Sequence, residues 1–95
     1  MNKDEARRIL LEHLARYKQR SYSELALLVA AKQEDIFEVA GPTGTTYQLE
    51  FQFFWDSHPD GDIRVIGSID DGGWRAFSPL TEDFVISPEG KFIGE

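Results

Sequence analysis

A chain without cysteine must do any acid, base or metal chemistry with histidines and carboxylates, and this one has two histidines. His58 lies among Asp56, Asp60 and Asp62, residue types that ligate divalent cations. Counted from Asp56, a calcium loop of the EF-hand kind needs its bidentate glutamate at position 12, where this chain has Gly67. Asp, His, Pro and Gly are also what a solvated hairpin tip uses for its geometry. Residues 56–62 therefore read as a turn, with no metal and no cofactor expected. Asp70 and Asp71 are adjacent carboxylates that could form an acid–base couple. Neighbouring strand residues point to opposite faces, however, and Asp71-Gly72 is a strong two-residue turn signal. His13 falls beside Leu14 in a helical pattern, and no Ser–His–Asp arrangement is legible from spacing. The chain has no GxGxxG, no phosphate-binding loop and no HExxH. No residue is nominated as catalytic.

Charge narrows the choice of partner. Ten basic residues face seventeen acidic ones, a net charge of −7. Residues 1–20 carry +3 and residues 21–95 carry −10. A field this acidic repels phosphate over most of the surface, so no nucleic acid is expected as a partner. The basic stretch has Asp4 and Glu5 in its first turn and Arg16, Lys18 and Arg20 near its end, which complements a helix dipole. No apolar run approaches the ~18 residues of a membrane span, and the N-terminus has no apolar signal segment, so no membrane partner is expected. The absence of cysteine removes disulfides and thiol chemistry and fits a reducing compartment, so the expected localisation is cytoplasmic. Ninety-five residues with 41% apolar and 13% aromatic content make one domain with a real core.

The elements that position these groups follow from periodicity. Asn2 is a candidate N-cap for a helix over residues 3–18, with Ala6, Leu10, Leu14 and Tyr17 on one stripe. Ser21 and Glu24 have capping-box spacing ahead of a short second helix ending near Lys32, although Leu27-Leu28-Val29 would also suit a strand. From residue 33 the period changes to two. Tyr47 to Phe53 alternates apolar at odd positions with polar at even ones, the pattern of an antiparallel strand with one wet face. Gly41-Pro42-Thr43-Gly44-Thr45 and Ser87-Pro88-Glu89-Gly90-Lys91 share the chemistry of a three-residue hairpin loop. The strands are expected at 34–40, 45–55, 62–70, 73–78, 83–87 and 91–94. The fold class is α+β: a helical part, 1–32, packed on one face of a five- to six-stranded antiparallel meander, 33–95.

Turn positions also predict pairing. A two-residue loop at Asp71-Gly72 pairs Ile69 with Trp74, Ser68 with Arg75 and Ile66 with Phe77. Strands 45–55 and 62–70 pair with partner numbers summing near 118 or 120, which sets Phe54 next to or opposite Ile66, with Arg64 beside it. Phe54, Ile66 and Phe77 are then apolar exceptions on the polar face, bordered by Arg64 and Arg75. That composition is expected of a partner-binding surface. Cover from within the chain, by residues 78–80 or 83–94, and ordinary cross-strand pairing are the alternatives.

The segments Glu38-Val39-Ala40-Gly41-Pro42, Tyr47-Gln48-Leu49-Glu50, Gly67-Ser68-Ile69-Asp70-Asp71-Gly72-Gly73-Trp74-Arg75-Ala76-Phe77 and Ser87-Pro88-Glu89-Gly90-Lys91-Phe92-Ile93-Gly94 resemble a family of small uncharacterised bacterial proteins. The resemblance spans roughly residues 21–95, with Asp-Asp-Gly-Gly-Trp-Arg its most specific part. It implies the fold and a bacterial origin and carries over no catalytic residue. The helix-on-sheet plan is also similar to cystatin-like and minimal NTF2-like folds, a likeness of architecture alone. The sequence thus points to a non-enzymatic acidic module that contacts another protein, or a second copy of itself, through the outer sheet face. An immunity protein against a basic toxin is one specific form, and a mimic of nucleic-acid charge is another. The alternative is a small enzyme or ligand-binding domain using a cavity between helix and sheet, lined by Tyr47, Trp55, Trp74 and His13.

Overall fold

Helix α1 runs Lys3–Lys18, and the Asn2 side chain caps it by accepting from the Glu5 amide at 3.0 Å. Helix α2 runs Tyr22–Ala30 and is capped by the Ser21 hydroxyl, which accepts from the Glu24 amide at 3.1 Å. Capping decides the ambiguous stretch in favour of a helix, since it satisfies donors that a strand beginning there would not present. A computed structural model of the chain describes residues 1–73 and 78–94. Five strands follow the helices: β1 Glu34–Ala40, β2 Thr46–Trp55, β3 Ile63–Asp70, β4 Leu80–Ile86 and β5 Phe92–Ile93. They form one antiparallel sheet in the order β1-β2-β3-β4-β5. The fold is α+β, with two N-terminal helices packed on a five-stranded meander.

Period two decides which face is dry. The inward residues Tyr47, Leu49, Phe51, Ile63, Val65 and Ile69 are fully buried and pack against Ala6, Leu10 and Leu14 of α1 and Leu25 of α2. Helix α1 lies over β3 and β4, and α2 over β2 and β3. The helix layer sits close because Gly67 has no side chain: a Cβ there would stand 2.4 Å from the Phe51 ring and 3.0 Å from Leu10 Cδ1. Two hairpins follow their expected chemistry. Gly44 (φ 91°) closes the β1–β2 loop, where the Gly41 amide donates to the Thr45 carbonyl at 2.7 Å, and Gly90 (φ 81°) closes β4–β5 in the same way.

The third hairpin differs from expectation. Residues 73 and 78 are not in a strand, and residues 74–77 lie outside the described residues. The neighbour of β3 is β4, with Ile69 opposite Leu80, Val65 opposite Phe84 and Ile63 opposite Ile86. A two-residue type I′ turn needs positive φ at both loop positions, and here Gly72 (φ 85°) has it while Asp71 does not. Instead the Asp70 and Asp71 carboxylates fold back onto the Gly72 and Gly73 amides at 2.8 and 3.1 Å, and residues 71–73 stand outside the ladder. The later register also offers three large apolar pairs to the core face, more buried area than Trp74 and Ala76 opposite Ile69 and Gly67 would give. The predicted pairs Ser68–Arg75 and Ile66–Phe77 are therefore replaced by Ser68–Thr81 and Ile66–Asp83.

Helix α2 ends in a Schellman motif, with the Lys32 amide donating to Val29 and the Gln33 amide to Leu28. That motif places Lys32 at φ 53°, a left-handed position usually given to glycine. Left-handed backbone costs a residue with a Cβ about 1–2 kcal/mol, partly offset by glycine's larger unfolded-state entropy. Lys32→Gly is expected to raise stability by about 0.5–1 kcal/mol. A urea unfolding curve checks this, and a lowered midpoint would contradict it.

Candidate interaction surface

The sheet has one face under the helices and one face that no described element covers. Alternation places Ile36 of β1, Phe54 of β2, Arg64 and Ile66 of β3, Asp83 and Val85 of β4 and Ile93 of β5 on that outer face. One row runs across the sheet as Phe54, Arg64, Val85, Ile93, and the next as Gln52, Ile66, Asp83. Phe54 is 44% exposed, Ile93 49% and Ile36 54%, while Ile66 is half-buried. Of the five predicted surface residues, the structure brings Phe54, Ile66 and Arg64 together. Phe77 and Arg75 lie outside the described residues, and the positions predicted for them beside β3 belong to Asp83 and Thr81.

Arg64 is not a free rim charge. Its Nε donates to Asp56 at 2.7 Å and its Nη1 to Asp83, and these bonds push its pKa further up. Both carboxylates thus become a fixed clamp on one guanidinium in the middle of the apolar row. Asp56, predicted as part of a turn, is tied to the sheet by this contact. Val85, Ile93 and Ile36 were not picked out by sequence. Val85 and Ile93 come from strands whose register depends on where the chain returns after Asp71. Ile36 is an even-numbered apolar residue between Glu34 and Glu38, and that break in alternation was a usable signal.

The remaining chemistry candidates resolve into structure. In the 56–62 loop, the His58 ring packs beneath Gly61, and Asp60 takes φ 64°. Among the described residues no three histidine or acidic groups are placed to hold a metal ion. Tyr47, Trp55 and His13 each line a different surface cleft among the described residues. Tyr47 is fully buried, Trp55 lines a cleft at the end of β2, and His13 meets the Phe37 ring of β1 at 5.2 Å with the two planes tilted by 49°. Trp74 lies outside the described residues. At Gly67, Phe51 and Leu10 the helix and sheet pack in direct contact.

Glu5, read from sequence only as an acidic residue of the first helical turn, is buried. The signal was its place four residues before Ile9, on the apolar side of α1. Its carboxylate accepts from Tyr47 Oη at 2.7 Å, from Thr43 Oγ1 at 2.8 Å and from the Thr43 amide at 3.2 Å. These bonds hold its pKa below the usual carboxylate value, while burial and the same bond push Tyr47 up to about 12. A general acid needs the opposite shift, so Glu5 is a latch between α1 and the β1–β2 hairpin. Because its folded pKa is depressed, its stabilisation is present above its unfolded pKa and lost as pH falls through the folded value. The difference in melting temperature between wild type and Glu5→Gln is expected to be large at pH 6 and to shrink toward pH 3. A pH-independent difference would contradict the latch.

No helix among the described residues is long and apolar enough to cross a membrane. Comparison with protein-family models, with curated proteins and with solved structures gives no match.

Proposed function

We propose that this chain is a non-enzymatic protein-binding module, working in a reducing, cytoplasmic setting, whose contact surface is the outer face of the sheet. The observation that carries this reading is exposed Phe54 beside half-buried Ile66, with exposed Ile36 and Ile93 toward the two edges of the same face, which no described element covers. Large apolar side chains left exposed on an uncovered sheet face are candidates for partner contact. Acidic residues surround the patch: Glu34, Glu38, Glu50, Asp70 and Asp83 share the outer face. Two copies meeting through this face would bring like charges together, whereas a protein with a basic rim and an apolar centre complements it. The partner class is therefore a cationic protein, and neutralisation of a basic toxin is one form of that reading. The buried carboxylate, Glu5, has its oxygens occupied and its pKa lowered, which suits a structural bond better than a general acid.

The test is affinity capture from the source cell with wild type and Ile66→Lys side by side, followed by titration of the purified partner. A basic partner bound by wild type and lost with Ile66→Lys supports the proposal. Equal capture by both would overturn it.

A further inference from the structure

Strand β1 is an edge, and its free side meets a groove of unusual charge for this protein. The Gly41 amide bonds to Thr45, so ladder alternation aims the backbone groups of residues 35, 37 and 39 at β2. The amides and carbonyls of Ile36, Glu38 and Ala40 then point outward, at an edge with no proline or bulge, guarded by the charges of Glu34, Asp35 and Glu38 alone. Beside this edge, on the helix side of the sheet, lies a groove of about 410 Å³ lined by His13 and Arg16 of α1, by Arg20 in the turn after it, and by Phe37 and Glu38 of β1, two guanidiniums to one carboxylate. Arg16 and Arg20 are exposed, and among the described residues neither meets a carboxylate within 4.0 Å. The acid on the helix side of β1, Asp35, has its oxygens engaged by Tyr17 Oη at 2.5 Å and Gln33 Nε2 at 3.0 Å. The opposite side of the same strand carries Glu34 and Glu38, exposed on the outer face.

We infer that β1 accepts an extended peptide by strand addition, one that carries acidic residues on the side facing Arg16 and Arg20 and basic residues on the side facing Glu34 and Glu38. A strand presents alternate residues to opposite faces, so a segment alternating acidic with basic side chains matches both charge sets at once. Main-chain bonds to residues 36, 38 and 40 hold the segment, and opposite-charge cross-strand pairs set its register. A second copy fits less well, because pairing two β1 edges about their centre sets Arg16 and Arg20 of both copies along one seam. This inference uses the edge and the helix-side groove, and it stands apart from the outer-face proposal.

The probe is a synthetic, end-blocked peptide of roughly ten residues, about one strand long, alternating glutamate with lysine and titrated by fluorescence anisotropy. The control has identical composition in Glu-Glu-Lys-Lys blocks, which cannot sort its charges onto two faces of a strand. The alternating peptide is expected to bind about tenfold or more tightly than the block peptide, the effect of two or three cross-strand charge pairs. Glu38→Pro removes an amide that faces outward and leaves the β1–β2 ladder intact, and it is expected to abolish binding. The double variant Arg16→Glu with Arg20→Glu leaves the backbone untouched and is expected to do the same, so a folding failure of the proline variant does not rescue the idea. Ile66→Lys is expected to bind the peptide as wild type does, which separates this edge from the outer face. Equal affinity for the two peptides, or unchanged binding in the charge-reversed variant, would overturn the inference. So would a concentration-dependent doubling of wild-type mass that Glu38→Pro removes, since that assigns the edge to a second copy.

Discussion

Phe51→Ala is expected to lower unfolding free energy by about 3–5 kcal/mol, the range for deleting a buried aromatic side chain. The Phe51 ring is fully buried, with the Tyr17 ring centroid 4.6 Å away and the Phe37 centroid 6.1 Å away. It also occupies the space that Gly67 leaves open beneath α1. Truncation removes the aromatic contacts together with the surface on which Leu10 rests, and a well-packed interior relaxes only partly around such a void. A domain of this size has a total stability of roughly 5–15 kcal/mol, so the variant stands at or near the edge of folding. Glu50, one residue earlier on the outer face, is expected to tolerate alanine within about 0.5 kcal/mol. Urea unfolding of both variants checks the pair, and equal losses would mean that the sheet faces the other way.

Much of this architecture is legible from local chemistry alone. Asn2 and Ser21 mark both helix starts, the alternation from Tyr47 to Phe53 assigns the inner face, and two Gly-closed loops set two hairpins. The failure at Asp71-Gly72 has a physical cause. The same dipeptide serves a tight hairpin or a pair of side-chain-to-backbone turns, and the choice depends on which later segment offers the better core face. Leu80, Phe84 and Ile86 offer more than residues 73–78, a comparison across the sheet that no local window contains. The candidate surface inherits that limit. Phe54, Arg64 and Ile66 come from a pairing that the alternation fixes, and they are found together. The clamp of Arg64 by Asp56 and Asp83 needed the long-range register of β4.

The corrected register also decides how the outer face is best challenged. Asp83 stands directly opposite Ile66, so an aspartate at 66 would set two carboxylates against each other and confound folding with binding. Lysine at 66 meets an opposite charge across the strand and keeps its aliphatic stem on the sheet. Ile66→Lys is therefore expected to melt within a few degrees of wild type, as a change outside the core should. In a complex the same lysine loses its water at the centre of an apolar contact and faces a cationic partner, and Asp83, already engaged by Arg64, does not offset that desolvation, which costs several kcal/mol. A loss of about 3 kcal/mol corresponds to more than a hundredfold in affinity. The most direct measurement is a calorimetric titration of the captured, purified partner into wild type and into Ile66→Lys, each shown to be folded. A fall in affinity of about a hundredfold or more is predicted, and equal affinity for the two proteins would contradict the outer face as the site of binding.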